Sequence, residues 1–298
     1  MRAVAISLAV LTLAACGSST QGRPVDNPAV TFGSPSPAPT TPPTTPRTTP
    51  PSTPRRSPNT TTPAPRPTQT RVPAQHVPAG RTVVLNPGHN GADWSHPQEI
   101  SRQVPSGYGM YKDCDTTGTN TNAGYSEHAF NWDVSLRVRG ILRAHGVHVI
   151  MTRPNDTGVG PCVDERAAIG NRAGVDAVVS IHADGADAAG HGFHVNQDSR
   201  RPDGATAATA RNSIRLGRAI HDALVRSSGL VPSTYLGANG YYYRSDLAGL
   251  NLATNPATFL ELGNMRNAGD AALQSSAAGR QRIARAVAAG ILAYLAAV

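Results

Sequence analysis

The sequence predicts an α/β fold: a single domain on a mainly parallel, twisted sheet of about six strands with helices on both faces. Three observations carry that expectation. Short apolar runs without polar alternation recur from Thr82 onward, as strands covered on both faces require. Between them lie stretches with apolar residues at helical spacing, so strand and helix alternate. The length from Thr82 to Val298, about 217 residues, suits one ordinary domain.

Thr82-Val83-Val84-Leu85 is an apolar run ended by Asn86-Pro87-Gly88, a strand entering a turn. Ser126 suits the N-cap of a helix starting at Glu127; Phe130, Val134, Val138, Ile141 and Leu142 form its apolar face and Gly146 closes it. His148 to Thr152 reads as a second strand, Asp164 to Ala173 as a helix, and Ala177 to Ile181 as a third strand. Gly192 to Asn196 follows as a strand, Ala205 to Ser227 as a long helix, and Ala257 to Leu260 as a further buried strand. One terminal helix is expected over Asp270 to Ala296, burying Leu273, Ile283, Val287, Ile291 and Leu295. Its Ala-rich end after Arg285 has 13 residues, too few to span a bilayer. Asn90 to Ser126 is 37 residues of mostly polar chain rich in Gly, Thr and Asn, and loops of that length are usually lids or binding elements. A partial lid is therefore expected there.

The chain before Thr82 has a different character. Seventeen of the 25 prolines lie between Arg23 and Pro78, with hardly any Leu, Ile or Phe among them. Such a segment cannot bury enough apolar surface to offset its ordering entropy, so residues 16–80 are expected to be a disordered Pro/Thr/Ser-rich tether. In polyproline II at ~3.1 Å per residue, residues 17–78 reach at most ~190 Å. The charge divides with the composition. Residues 17–80 carry six arginines against Asp26, whereas residues 81–298 hold 20 basic and 18 acidic side chains, so most of the net +8 lies ahead of the folded part. The folded part has no basic stripe and one lysine, Lys112, which argues against nucleic acid as a partner.

Residues 1–15 have the layout of an export signal: Arg2, an apolar stretch from Ala3 to Thr12, then Leu13-Ala14-Ala15 before Cys16. Leu13-Ala14-Ala15-Cys16, followed by Gly17-Ser18-Ser19, resembles the lipobox of bacterial lipoproteins. The resemblance implies cleavage before Cys16, lipidation of its thiol, and anchoring on the outer face of the cell membrane by two or more acyl chains, where one would be marginal. A soluble secreted protein with a chance cysteine is the alternative. With Cys16 lipidated, Cys114 and Cys162 remain in an exported domain, an oxidising setting in which two cysteines usually pair. A thiolate ligand or nucleophile is the weaker option, since no Cys-x-x-Cys is present.

Four of the ten histidines fall where bland roles suffice: His76 in the tether, His145 and His221 on helices, His148 opening a strand. His89 and His182 differ, each standing at the carboxyl end of an apolar strand, where ligand sites form in open α/β sheets. Glu261 is placed alike, after Thr258-Phe259-Leu260, and a carboxylate on an apolar run is too costly to bury without a metal or proton donor. Glu127 opens its helix, where the dipole alone would favour a negative side chain.

Residues 82–298 resemble the zinc-dependent N-acetylmuramoyl-L-alanine amidases of the amidase-3 type. The resemblance rests on Val83 to His89, Gly124 to Asn131, Val147 to Arg153, Arg166 to Asn171, Ser180 to Asp184, and Pro256 to Asn267. It implies zinc held by His89, Glu127 and His182, with Glu261 as the catalytic carboxylate. It also implies peptidoglycan as substrate, cut at the amide between N-acetylmuramic acid and L-Ala; a monomer is expected. Two departures stand out: Asn86 where an acidic residue is commoner, and Gly263-Asn264-Met265-Arg266-Asn267 in place of Gly-Phe-x-x-Asn. The competing readings are a catalytically inactive wall-binding lipoprotein and another zinc peptidoglycan peptidase. His89-x-Gly91-x-Asp93 is similar to the lysostaphin-type endopeptidases, but no histidine lies two residues from another to complete that pattern.

Overall fold

Val83, Val84 and Leu85 are all without solvent exposure, so strand β1 (Thr82–Pro87) needs cover on both faces and a strand on both edges. The computed structural model describes residues 77–298, and there β1 has both. After β1 come a short helix α1 (Pro97–Ile100), a hairpin of β2 (Gln103–Gly107) and β3 (Met110–Asp113), helix α2 (Glu127–Ala144) and β4 (His148–Met151). Helix α3 (Val163–Gly170), β5 (Ala177–Asp184), β6 (His194–Asp198) and the long α4 (Ala207–Ser227) follow. The last elements are β7 (Tyr241–Arg244), α5 (Ala248–Asn251), β8 (Ala257–Asn264), α6 (Ala268–Ser275) and α7 (Ala277–Leu295).

The main sheet has six strands in the order β4-β1-β5-β8-β6-β7, parallel except where β6 meets β8. From β1 the chain crosses to β4 on one side and then to β5 on the other. That reversal opens a crevice at the carboxyl ends of β1 and β5, the place where such sheets bind ligands. One face packs Leu85, Val179, Ile181, Val195 and Leu260 against Phe130 and Val134 of α2, Leu216 and Ile220 of α4, and Ile283 and Val287 of α7. The other face carries Val84, Val178 and Ala257 against Leu250 and Ala253. At the amino ends of the strands, Arg81 donates to Asp176 at 2.7 Å and to the carbonyl oxygen of Val298, and Thr82 N–H donates to Asp176 at 2.7 Å.

Several expectations are corrected. Strands β5 and β8 run on past Ile181 and Leu260, so His182 and Glu261 lie within strands and not beyond them. Ser126 occupies the N-cap of α2, but its side chain makes no capping bond, and the first N–H, of Glu127, donates instead to Thr119 O at 2.9 Å. The expected terminal helix is two. Ser276 is extended and its hydroxyl accepts from Gly279 N–H at 3.0 Å, starting α7 afresh, as serine caps do in competition with a continuous helix. Strand β7 and the β2–β3 hairpin are not among the elements that the sequence predicts. The signal segment, Cys16 and the tether up to residue 76 lie outside the described residues. Among the described residues no helix is long and apolar enough to cross a membrane.

Cys114 and Cys162 form a disulfide with a Cα–Cα distance of 4.5 Å. Both are buried beside Val104, with Cys162 at the N-cap of α3, so the bridge ties the end of the hairpin to that helix. Closing a 48-residue separation contributes about 4 kcal/mol in the chain-entropy model. Because Lys112 and Asp113 of β3 and residues 115–119 line one wall of the cleft, the bridge also places that wall. Cys114→Ser with Cys162→Ser is therefore expected to impair action on a large polymeric substrate, which must lie against that wall, more than on a small one. Equal losses on both substrates, in step with a fall in melting temperature, would make the bridge a stability element only.

Candidate metal centre

The site is assembled at the carboxyl ends of β1, β5 and β8 and the first turn of α2. Gly88 N–H donates to Ile181 O at 3.0 Å, carrying the β1–β5 pairing one residue past the strand. His89 then takes a left-handed φ of 56°, rare for a residue with a Cβ, which turns its ring back over the sheet. Only glycine fits before it, since a Cβ on Gly88 would lie 1.9 Å from the His182 ring. Two buried arginines hold this turn by its carbonyls. Arg166 donates to Pro87 O at 2.7 Å and His89 O at 3.3 Å, and Arg153 to Pro87 O at 3.1 Å.

The ligand atoms of His89, Glu127 and His182 lie within 4.8 Å of one another. Glu127 Oε1 is 3.2 Å from His89 Nε2 and 3.1 Å from His182 Nδ1, and accepts from Ala183 N–H at 3.2 Å; its Oε2 accepts from Thr119 N–H at 3.0 Å. His89 Nδ1 lies 2.7 Å from Thr116 O and 3.3 Å from Asp115 Oδ1, which fixes the ring and leaves Nε2 toward the centre. His182 stacks on Phe259 with centroids 4.1 Å apart. In register with His182 on the neighbouring strand stands Glu261, whose Oε2 is buried and has no hydrogen-bond partner. Gly118, at φ 72°, passes so close that a Cβ there would sit 2.8 Å from both Glu127 Oε2 and the His89 ring.

The two carboxylates titrate in opposite directions. Burial pushes Glu127 up, but the facing imidazoles of His89 and His182 outweigh it and hold the group well below the usual carboxylate range. Burial, reinforced by the charges of Glu127 and Asp184, pushes Glu261 well above that range. One acid is thus ready to be a ligand and the other to carry a proton. Two imidazoles and one carboxylate are the donor set of an open, catalytic divalent-metal site, and Glu261 supplies an uncommitted buried oxygen beside it. A second set among the described residues, His89 with Asp93 and Asp115, is less suited. Asp115 is paired with the Arg166 cation at 3.0 Å and Asp93 accepts from Asn90 N–H at 2.7 Å.

All four residues singled out by the sequence are thus brought together around a cleft of about 430 Å³. The departure at Asn86 has a local explanation. Its Oδ1 accepts from Thr152 at 2.8 Å and Arg166 at 3.0 Å, while the negative partner of Arg166 is Asp115 from the wall segment. Asp115 and Gly118 had no recognisable sequence signal, because their roles depend on where the polar segment folds back. Arg244 and Lys112 add positive charge to the cleft lining.

The profile of the N-acetylmuramoyl-L-alanine amidase family matches residues 83–293. An N-acetylmuramoyl-L-alanine amidase of Mycobacterium tuberculosis is 48% identical over 218 residues, covering 73% of this chain and 88% of that protein. Among solved structures, the N-acetylmuramyl-L-alanine amidase Ami1 of Mycobacterium smegmatis superposes with a TM-score of 0.69 at 47% identity, covering 74% of this chain and 99% of that one. The apo Ami1 of Mycobacterium abscessus gives 0.68 at 51% identity, over 73% of this chain and 99% of that one. With a cleft of this make-up inside a match that spans the sheet from β1 to α7, the chain belongs to the family of N-acetylmuramoyl-L-alanine amidases, hydrolases of peptidoglycan.

Proposed function

We propose that this amidase works with zinc held by His89, Glu127 and His182, and with Glu261 as the group that moves protons. The observation that supports this reading above others is the convergence of those three ligands beside a carboxylate with a buried, uncommitted oxygen. When bound, zinc lowers the pKa of its water to about 7 and polarises the amide carbonyl. In the metal-free protein burial keeps a proton on Glu261; the charge of a bound divalent ion would release it, so that Glu261 can take the proton from the attacking water as the oxygen bonds to the lactyl carbonyl carbon. It then passes that proton to the amine of L-Ala as the C–N bond breaks, leaving a lactyl carboxylate and a free peptide amine. His89 is kept in one tautomer by Thr116 O and Asp115, and Phe259 fixes the plane of His182. Mass analysis of muropeptides released from whole peptidoglycan tests the bond. Intact stem peptides separated from glycan are expected; a cut within the peptide would mean an endopeptidase, and no release would mean a wall-binding protein.

The domain layout is proposed on the same footing: a signal over 1–15, lipidated Cys16 with a tether to residue 80, and the catalytic domain from 81. Peptidoglycan lies outside the cytoplasm, and the run ahead of Cys16 supplies a means of export and anchoring there. Cys16→Ser is expected to move the protein from the membrane pellet to a soluble or unprocessed form. Unchanged membrane association would remove the lipid anchor from the account.

A further inference from the structure

Beside Glu261 lies a gathering of buried polar atoms without partners. Across the antiparallel β6–β8 pair His194 stands directly against Glu261, and Asn196 against Phe259. Val195 and Leu260 between them are fully buried in the core of the other face, so His194 and Glu261 share the cleft side of the sheet. Directly opposed residues of such a pair hold their Cβ atoms about 4.5–5.5 Å apart. His194 is 1% exposed, yet neither ring nitrogen has a partner; Glu261 Oε2 and the Tyr235 hydroxyl are buried and unpartnered as well. The rings of Tyr235 and Tyr242 meet the imidazole edge-on, with centroids at 5.9 Å. Burial, opposed by Asp184 and aided by Arg244, pushes His194 down to about 4, so at neutral pH it is uncharged with one N–H to donate. A buried unpaired polar group is costly, and phenylalanine would fill this aromatic pocket without that cost. Several such groups against one reacting carboxylate call for a use.

We propose that His194 is a positioning residue for Glu261: its ring N–H engages the buried Oε2, directly or through one water shared with the Tyr235 hydroxyl, and turns the other oxygen toward the cleft. This rests on Glu261 being the proton-transfer group. Hydrogen bonds around such a carboxylate are often long in the free enzyme and tighten in the substrate complex. The other groups that act on Glu261 are Glu127 from α2, Asp184 from β5, His89 after β1 and Arg244 from β7. Of these only His89 can be an uncharged donor, and its Nδ1 is committed to Thr116 O and its Nε2 to Glu127.

His194→Phe keeps the ring packing between the two tyrosines and removes both nitrogens. Metal content and KM should be unchanged while kcat falls about tenfold to a hundredfold, the usual cost of losing an orienting partner. His194→Gln, which retains an N–H, should recover most of that loss. In a Glu261→Gln background, His194→Phe should add nothing, since the group it acts through is gone. In imidazole ¹⁵N–¹H spectra of the full chain, the His194 N–H resonance should move on Glu261→Gln. A kcat for His194→Phe equal to that of the unaltered protein, or a fully additive loss in the double variant, would overturn the proposal. If Glu261→Gln keeps full turnover, the assignment of Glu261 falls, and the role of His194 in catalysis falls with it. Should His194→Phe fail to fold, the glutamine variant and the resonance decide, and an unmoved resonance rejects the contact.

Discussion

Replacing Glu261 by glutamine is expected to leave zinc bound, to cut turnover by on the order of 10²–10⁴-fold, and to make the metal-free protein more stable at neutral pH. The loss follows because an amide cannot accept the water's proton. The gain follows from linkage. Burial and the charges of Glu127 and Asp184 hold the folded carboxyl well above its ordinary value, so the folded state keeps a proton that the unfolded chain releases above about pH 4.3. Between those two values the native state binds more protons, and stability falls as pH rises. Glutamine has no charge to bury, so the variant should be the more stable of the two at pH 7, and the gain should vanish below pH 4. Thermal melts of metal-free protein at pH 4 and pH 7 measure it. Zinc lost from Glu261→Gln with the fold intact would show that this residue is a ligand.

His89→Ala and His182→Ala are expected to empty the site and to bring activity to background, a loss of at least about 10³-fold, since the chemistry depends on the metal. Removing either ring leaves the buried Glu127 carboxylate one partner fewer, so the metal-free fold should also lose some stability. The unaltered protein should melt higher as zinc is added, because an ion that binds only the folded state stabilises it by mass action. Neither variant should respond. Metal analysis after dialysis, with melts at several zinc concentrations, reads both effects. Full zinc and full activity in His182→Ala would remove that residue from the set.

The strands that could be read from the sequence are those whose side chains are apolar on both faces. Val83–Leu85, Ala177–Ile181 and Ala257–Leu260 show this, and the sheet's order follows the alternation of strands and helices between them. What could not be read is where those strands stop. His182, Asp184, Glu261 and Gly263 interrupt the apolar pattern, yet the backbone keeps pairing because the ladder does not depend on side-chain polarity. The hairpin was hidden in the same way, with Pro105, Lys112 and Asp113 making a paired ribbon look like a loop. Tyr241-Tyr242-Tyr243, three aromatic residues in a row, carries a β signal of its own. In the site, His89, His182 and Glu261 are marked by standing at the ends of apolar runs, whereas Glu127 needs the resemblance to lift it above a favourable first-turn charge. Asp115 and His194 were not legible at all. Asp115 meets Arg166 only through the return of the wall segment, and His194 meets Glu261 only through a cross-strand register that no local pattern encodes.

Where the chain enters the domain has a mechanical consequence. Arg81 ties the start of β1 to Asp176 and Val298 at one end of the sheet, while His89 opens the cleft at the other, six strand residues on. At ~3.3 Å per residue those ends are roughly 20 Å apart. A load applied through Val77 therefore reaches the pole farthest from the catalytic mouth. It runs along β1, where it meets the hydrogen-bond ladders to β4 and β5 in shear, many bonds sharing the force at once. Force along β1 would thus be borne by those ladders and would leave the turn that carries His89 unbent.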